Sequence, residues 1–224
     1  MRLFFLFVFP SLFLHCTSKQ IMSDRGYRYL ALGDSYTIGE SVPAASGFPF
    51  QTVQLLKQKN ILFQEPVIVA ETGWTTGNLK NAIESTTLQP PFDIITLLIV
   101  VNNQYQGRSI AEYEKEFEEL LDLALTFAGN DSSRVVVLSI PDWGSTPFGA
   151  SRNRMQITEQ IDAFNAVNKK ISRIKGVHYI NITPGSREAL GDVSLVAADG
   201  LHPSAKAYAR WAGDLSTIIE ANIR

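Results

Sequence analysis

Five short apolar runs recur along the chain, and each ends at or within three residues of a Gly, Pro, Asn or Asp. They cover residues 29–32 (YLAL), 67–70 (VIVA), 94–101 (IITLLIVV), 135–140 (VVVLSI) and 177–180 (VHYI). Four of the five are continuous and rich in Leu or β-branched residues, the pattern of strands buried on both faces of a parallel sheet. Helical spacing fills the intervals. Ile110, Tyr113, Phe117, Leu120, Leu121, Ala124 and Leu125 follow a 3.6-residue period, and Ser109 with Glu112 forms a capping box in front of them. Ile157, Ile161, Phe164, Ile171 and Ile174 mark a second helix. Tyr208, Trp211, Leu215 and Ile218 mark the last, with Pro203 near its first turn. Shorter patterns predict helices over about 50–59 and 78–85. Alternation of strand and helix predicts an α/β fold, a three-layer αβα sandwich with a mainly parallel five-stranded sheet. No internal repeat or low-complexity linker interrupts it, so one domain from about residue 27 to 224 suffices.

The first 26 residues break this pattern. One arginine at position 2 precedes a mostly apolar stretch, residues 3–14, too short to span a bilayer comfortably. This is the make-up of an export signal over residues 1–15. The stretch ends at His15 and Cys16, followed by polar Thr17, Ser18, Lys19 and Gln20. An apolar run ending at a lone cysteine resembles a bacterial lipoprotein signal, in which the cysteine becomes the lipidated first residue. On that reading residues 16–26 are a tether and the protein faces an extracytoplasmic compartment, held at a membrane. His15 departs from the small residue usual before such a cysteine. Cleavage nearby without lipidation, or an uncleaved anchor, is the alternative.

Composition narrows the function classes. Of 224 residues, 45% are hydrophobic and 19% charged, as in ordinary globular domains. The net charge of −2 comes without any Lys/Arg stripe, which argues against a nucleic-acid footprint. A single cysteine excludes an internal disulfide and the Cys-rich zinc patterns. Neither His nor Cys is clustered as metal ligands are.

Ligands of open α/β sheets bind at the carboxyl ends of the strands, so the residues that close each run carry the candidate chemistry. Gly33, Asp34 and Ser35 close the first. A serine on a tight strand-to-helix turn projects its hydroxyl at the sheet edge, although a helix N-cap serine reads the same way. A serine nucleophile needs a base. Of three histidines, His15 lies in the leader and His178 inside a strand, whereas His202 lies in a loop before the last helix. Asp199, three residues earlier, is spaced to meet one ring nitrogen and leave the other for Ser35; an ordinary Asp-Gly turn is the plainer reading. Acyl transfer also needs donors for a developing oxyanion. Gly73, after the second run, offers a bare backbone N–H or is simply a turn glycine. Asn102, after the third, offers a side-chain amide or simply ends a strand.

Taken in order, these four blocks resemble the SGNH/GDSL hydrolase superfamily, including its bacterial lysophospholipase-like esterases. Residues 33–35, Gly73, residues 100–103 and residues 199–202 match its four motifs. The resemblance implies a flavodoxin-like fold and ester hydrolysis through an acyl-enzyme without a cofactor. It implies Ser35 as nucleophile, His202 as base, Asp199 as the orienting carboxylate, and an oxyanion hole of the Ser35 and Gly73 N–H groups with the Asn102 amide. Two positions depart: Val100 stands where the family has Gly, and Asn103 where it has Asp. Trp74, Tyr105, Trp143 and Phe148 lie near the strand ends, placed either to stack on sugar or acyl groups or merely to pack loops. Arg108 is a solvated arginine or an anion contact. Simple carboxylesters, acetylated sugars and lysophospholipids all remain open as substrates. A catalytically silent surface lipoprotein that binds a glycan or lipid is the competing reading.

Overall fold

A computed structural model describes residues 26–223. The proposed signal segment 1–15 and Cys16 lie outside the described residues. Among the described residues, five parallel strands form one sheet: β1 (Tyr29–Asp34), β2 (Val67–Glu71), β3 (Ile94–Leu98), β4 (Val135–Leu138) and β5 (His178–Ile180). Their order is β2-β1-β3-β4-β5. Every residue of β1, β3 and β4 is buried, as their continuous apolar runs require. β2 lies at the edge, and its Val67 is exposed, so that run is not buried on both faces as expected.

Among the described residues, eight α-helices flank the sheet: α1 (Ser35–Ile38), α2 (Phe48–Gln58), α3 (Thr76–Ser85), α4 (Val101–Tyr105), α5 (Ile110–Phe127), α6 (Arg154–Lys175), α7 (Thr183–Arg187) and α8 (Ala205–Ile223). α2 packs on α8 to form one outer layer. α5 packs against α3 and α6 to form the other. Phe48 of α2 meets Tyr208 and Trp211 of α8 across ring distances of 6.4 and 6.0 Å. The three-layer αβα sandwich with a five-stranded parallel sheet is thus the architecture observed.

Several boundaries differ from the sequence reading, among them those of the third and fourth strands and the last helix. The third strand stops at Leu98 rather than running to residue 101, because Val100 takes φ +120° and turns the chain into α4. The fourth stops at Leu138; beyond it Ser139 N–H still donates to Ile180 O at 2.9 Å. The last helix begins at Ala205, and Pro203 instead bridges back to Val196. The Ser109 cap is present, its hydroxyl accepting from Glu112 N–H at 3.2 Å.

This strand order places a topological switch between β1 and β3. Chain from β1 crosses to one side and chain from β3 to the other, leaving a crevice at their carboxyl ends. Ser35 follows β1 directly, and Asn102 follows β3 by four residues.

Candidate active site

The nucleophile candidate sits where β1 converts to helix with no loop between. Gly33 permits this. A Cβ there would lie 2.1 Å from Thr37 Oγ1 and 2.3 Å from the carbonyl of Leu98, so no side chain fits between β3 and the first turn of α1. Asp34 caps that turn, accepting from Tyr36 N–H at 3.0 Å through Oδ1. Its other oxygen, Oδ2, is buried and unpaired. Burial pushes the Asp34 carboxyl up to about 7, and the N–H bond offsets this only in part. As first residue of α1, Ser35 has a backbone N–H with no intrahelical acceptor.

The turn of residues 199–202 carries the other two groups. Asp199 Oδ1 accepts from Leu201 N–H at 2.9 Å and His202 N–H at 3.0 Å. Asp199 Oδ2 lies 2.6 Å from His202 Nδ1, and His202 Nε2 lies 2.9 Å from Ser35 Oγ. Partial burial works against the Asp199 charge. The bonds it accepts from the His202 ring, Leu201 N–H, Ser41 Oγ and His202 N–H win, and hold its carboxyl well below the usual range. An ionised carboxylate only accepts, so Nδ1 must carry the proton facing it. In the neutral ring Nε2 is then a bare acceptor, aimed at the Ser35 hydroxyl. Tyr36 packs on the imidazole at 5.3 Å between ring centres. Burial, followed by the charges of Asp34, Asp199 and Asp142, pushes its phenol far up, so it stays neutral.

Ser35, Gly73, Asn102 and His202 line one cleft of about 200 Å³. Gly73 takes φ +83°, and a Cβ there would meet nothing within 4 Å; the position is open to the cleft and its backbone is one that L side chains avoid. Asn102 Nδ2 donates one hydrogen to Trp74 O at 2.9 Å. The amide has a second hydrogen, and Asn102 borders the cleft. The structure therefore brings together all five residues singled out from the sequence, with Asp199 behind His202.

The other candidate residues divide between cleft wall and loop packing. Trp74 is not a cleft wall; it packs against the core and presents its carbonyl to Asn102. Trp143 does line the cleft but is buried, with Nε1 donating to Gln104 Oε1 at 2.7 Å. Tyr105 and Phe148 are exposed and meet the Trp143 ring at 5.4 and 5.9 Å. Arg108 pairs with Glu112 at 3.1 Å within one helical turn. Asn103 is buried and structural: Oδ1 accepts from Thr76 N–H at 3.1 Å and Nδ2 donates to Thr76 Oγ1 at 2.7 Å. Sequence reasoning missed Ser41, whose hydroxyl donates to Asp199 Oδ2 at 2.7 Å across 158 positions, and Gln104, which fixes the Trp143 indole. Neither carries a motif signal. Among the described residues, no three His, Cys, Asp or Glu side chains gather in a way that could hold a metal ion.

A parallel αβα sheet thus carries Ser35, His202 and Asp199 in a hydrogen-bonded line beside a cleft. The profile of the GDSL-like Lipase/Acylhydrolase family matches residues 31–210, and the chain belongs to that family. Comparison with curated proteins gives no match. Several solved structures share the fold. An acetylxylan esterase from Geobacillus stearothermophilus superposes with a TM-score of 0.68 at 19% identity, over 87% of this chain and 94% of its own. The lipase/acylhydrolase from Enterococcus faecalis gives 0.66 at 18%, over 87% and 96%. A psychrotrophic esterase from Pseudoalteromonas sp. gives 0.64 at 15%, over 87% and 97%.

Proposed function

We propose that this protein hydrolyses carboxylic esters through a Ser35 acyl-enzyme. The observation that carries the reading is the hydrogen-bonded line from Ser35 Oγ to His202 to Asp199, beside Gly73 and Asn102 in one cleft. Ser35 Oγ attacks the ester carbonyl while His202 Nε2 takes its proton. Asp199 holds the tautomer and stabilises the imidazolium. The oxyanion is met by the Ser35 and Gly73 N–H groups and the free hydrogen of the Asn102 amide. Collapse expels the alcohol, which leaves with the proton from His202. Water then attacks the acyl-Ser35 ester by the same route, returning the acid and the free serine.

The substrate is an ester with a small apolar acyl group. Tyr105, Trp143, Phe148, Val101 and Leu201 surround the nucleophile, and apolar walls with a few convergent polar groups suit such a ligand. Acetylated sugars fall within this class; lysophospholipids, whose acyl chain is long, are the second reading. The fold neighbour that acts on acetylated xylan supports the former at the level of architecture only.

Residues 27–224 form the hydrolase domain, and residues 1–15 direct export. Cys16 is the lipidated first residue of the mature chain, so the enzyme works from a bacterial envelope membrane. Mass spectrometry of the mature N-terminus tests this: a lipid-modified peptide starting at Cys16 supports it, and an unmodified start elsewhere in soluble protein refutes it.

The activity is tested with p-nitrophenyl acetate and a serine-directed phosphonate. Turnover is expected, with phosphonate attached to Ser35. Ser35→Ala should lower kcat by roughly 10⁴–10⁶ with the fold intact. A folded wild-type protein inert toward acetyl, butyryl and lysophospholipid esters would favour a binding-only surface lipoprotein.

A further inference from the structure

The four-residue turn after the nucleophile's helix touches two other loops of the site. Gly39 ends α1 with φ +75°, and its N–H and that of Glu40 both return to Ser35 O. Glu40 accepts a hydrogen bond from the hydroxyl of Thr72, the residue before Gly73. Ser41 donates to Asp199 Oδ2 at 2.7 Å. One turn thus links the nucleophile to the loop of the oxyanion glycine and to the loop of the acid and base.

Ser41 is the sharper of the two links. Of the four bonds Asp199 accepts, three come from its own turn: Leu201 N–H, His202 N–H and the His202 ring. Such bonds shape the turn but say nothing about where it sits relative to Ser35. The fourth comes from Ser41, six residues beyond the nucleophile. It reaches the same oxygen that faces His202 Nδ1, so it fixes the direction from which that oxygen meets the imidazole. Ser41 holds φ +64° to do so, the left-handed region that non-glycine residues occupy at a cost. A turn with no task for the hydroxyl would be better served by glycine. A strained residue with a specific bond at a site is the arrangement expected when function retains the strain.

We infer that Ser41 is a positioning residue for the triad, orienting Asp199 and through it His202. The inference rests on the proposed serine-esterase reading. It acts on the transition state rather than on substrate binding, because the imidazolium forms only as Ser35 attacks.

Ser41→Gly is the informative variant. Glycine adopts φ +64° without strain, so the variant keeps the turn while lacking the donor. Its kcat on p-nitrophenyl acetate should fall about ten-fold, the scale of a hydrogen bond to a charged group with water competing, and KM should hold. Ser41→Asn tolerates the same backbone region and restores a donor, so it should recover part of the loss. A second readout is independent of turnover: the downfield proton resonance of the His202 Nδ1–H bond should shift or broaden in Ser41→Gly and return in Ser41→Asn. Wild-type kcat together with an unchanged resonance in Ser41→Gly overturns the positioning role and leaves the esterase reading standing. An inactive wild type whose Nδ1 resonance still depends on Ser41 overturns the esterase reading and leaves the positioning of Asp199 standing.

Discussion

Replacing Gly33 by alanine would test whether the site depends on the direct strand-to-helix junction. The new Cβ would sit 2.1 Å from Thr37 Oγ1, 2.3 Å from Leu98 O and 2.9 Å from Thr37 Cβ. Ordinary contact begins near 3.4 Å, so both closest atoms must retreat by more than an ångström. Leu98 O cannot do so cheaply: it belongs to β3, which is paired with Gly33 in the centre of the sheet. Thr37 belongs to α1, whose first residue is Ser35. Relief therefore comes from α1 lifting off the sheet and carrying the nucleophile with it. Overfilling a packed site costs about 1–3 kcal/mol and sometimes more; with a backbone carbonyl as one obstacle, about 3 kcal/mol is expected. A 1 Å misplacement of a reacting group costs about 10²-fold, so kcat should fall by at least that. Urea unfolding gives the first figure and p-nitrophenyl acetate turnover the second. Thr37 Oγ1 is buried without a partner, so adding Thr37→Ala should relieve the closest contact and recover a minor part of the stability, Leu98 O still blocking. A Gly33→Ala protein within about 0.5 kcal/mol of wild type and fully active would refute the close-approach argument.

Two further outcomes separate roles that lie side by side. Asn102→Ala should lower kcat by roughly 10²–10³ with little change in KM, whereas Asn103→Ala should mainly lower stability, since its amide ties α4 to Thr76 at the start of α3; steady-state kinetics and thermal melting on both variants decide, and the reverse pattern would defeat the oxyanion assignment. Asp34 carries the pH dependence. Burial pushes its folded carboxyl up to about 7 from the ordinary 3.8, so between those values the folded state holds a proton that the unfolded state lacks, and stability falls as pH rises through that window. Asp34→Asn keeps an Oδ1 cap and removes the titration. The difference in Tm, variant minus wild type, should grow from pH 4 to pH 7 and level off above it; a flat difference would show that Asp34 is not buried as a neutral acid.

The sheet was readable because strands buried on both faces have no option but continuous apolar runs. β1, β3 and β4 show this along their whole length. Ser35, Gly73, Asn102 and His202 were legible for a related reason: the carboxyl ends of such strands converge, so residues that punctuate the runs become neighbours. What could not be read depends on contacts without a local signature. Ser41 and Asp199 are 158 positions apart, and nothing about a serine in a polar turn announces a carboxylate. Gln104 looks like any helical glutamine until the Trp143 indole is seen on its carbonyl. The end of β3 was misplaced because Ile99, Val100 and Val101 continue the apolar pattern while the backbone has already turned. Periodicity reports burial, and all three are buried; it does not report φ.

Val100 shows what that turn demands. Its φ of +120° with ψ −14° is an outlier for a β-branched residue, of a kind that costs about 1–3 kcal/mol, and the family resemblance has glycine at this position. The side chain is completely buried. Truncation to alanine removes about 1.6 kcal/mol of burial, at about 0.8 kcal/mol per carbon, and keeps most of the strain. Truncation to glycine removes one carbon more and adds about 0.5–1 kcal/mol of chain entropy, yet releases the strain. In regular structure glycine would therefore fall about 1.5 kcal/mol below alanine. At position 100 the strain released is of the same size, so Val100→Gly and Val100→Ala should unfold at nearly equal urea midpoints. Val136 provides the comparison, since it is equally buried in the middle of β4 with regular parallel pairing on both sides. Val136→Gly should lie well below Val136→Ala. If glycine falls as far below alanine at 100 as it does at 136, the positive φ carries no cost, and the valine is an ordinary core residue rather than a strained one held by the packing around the Asn102 turn.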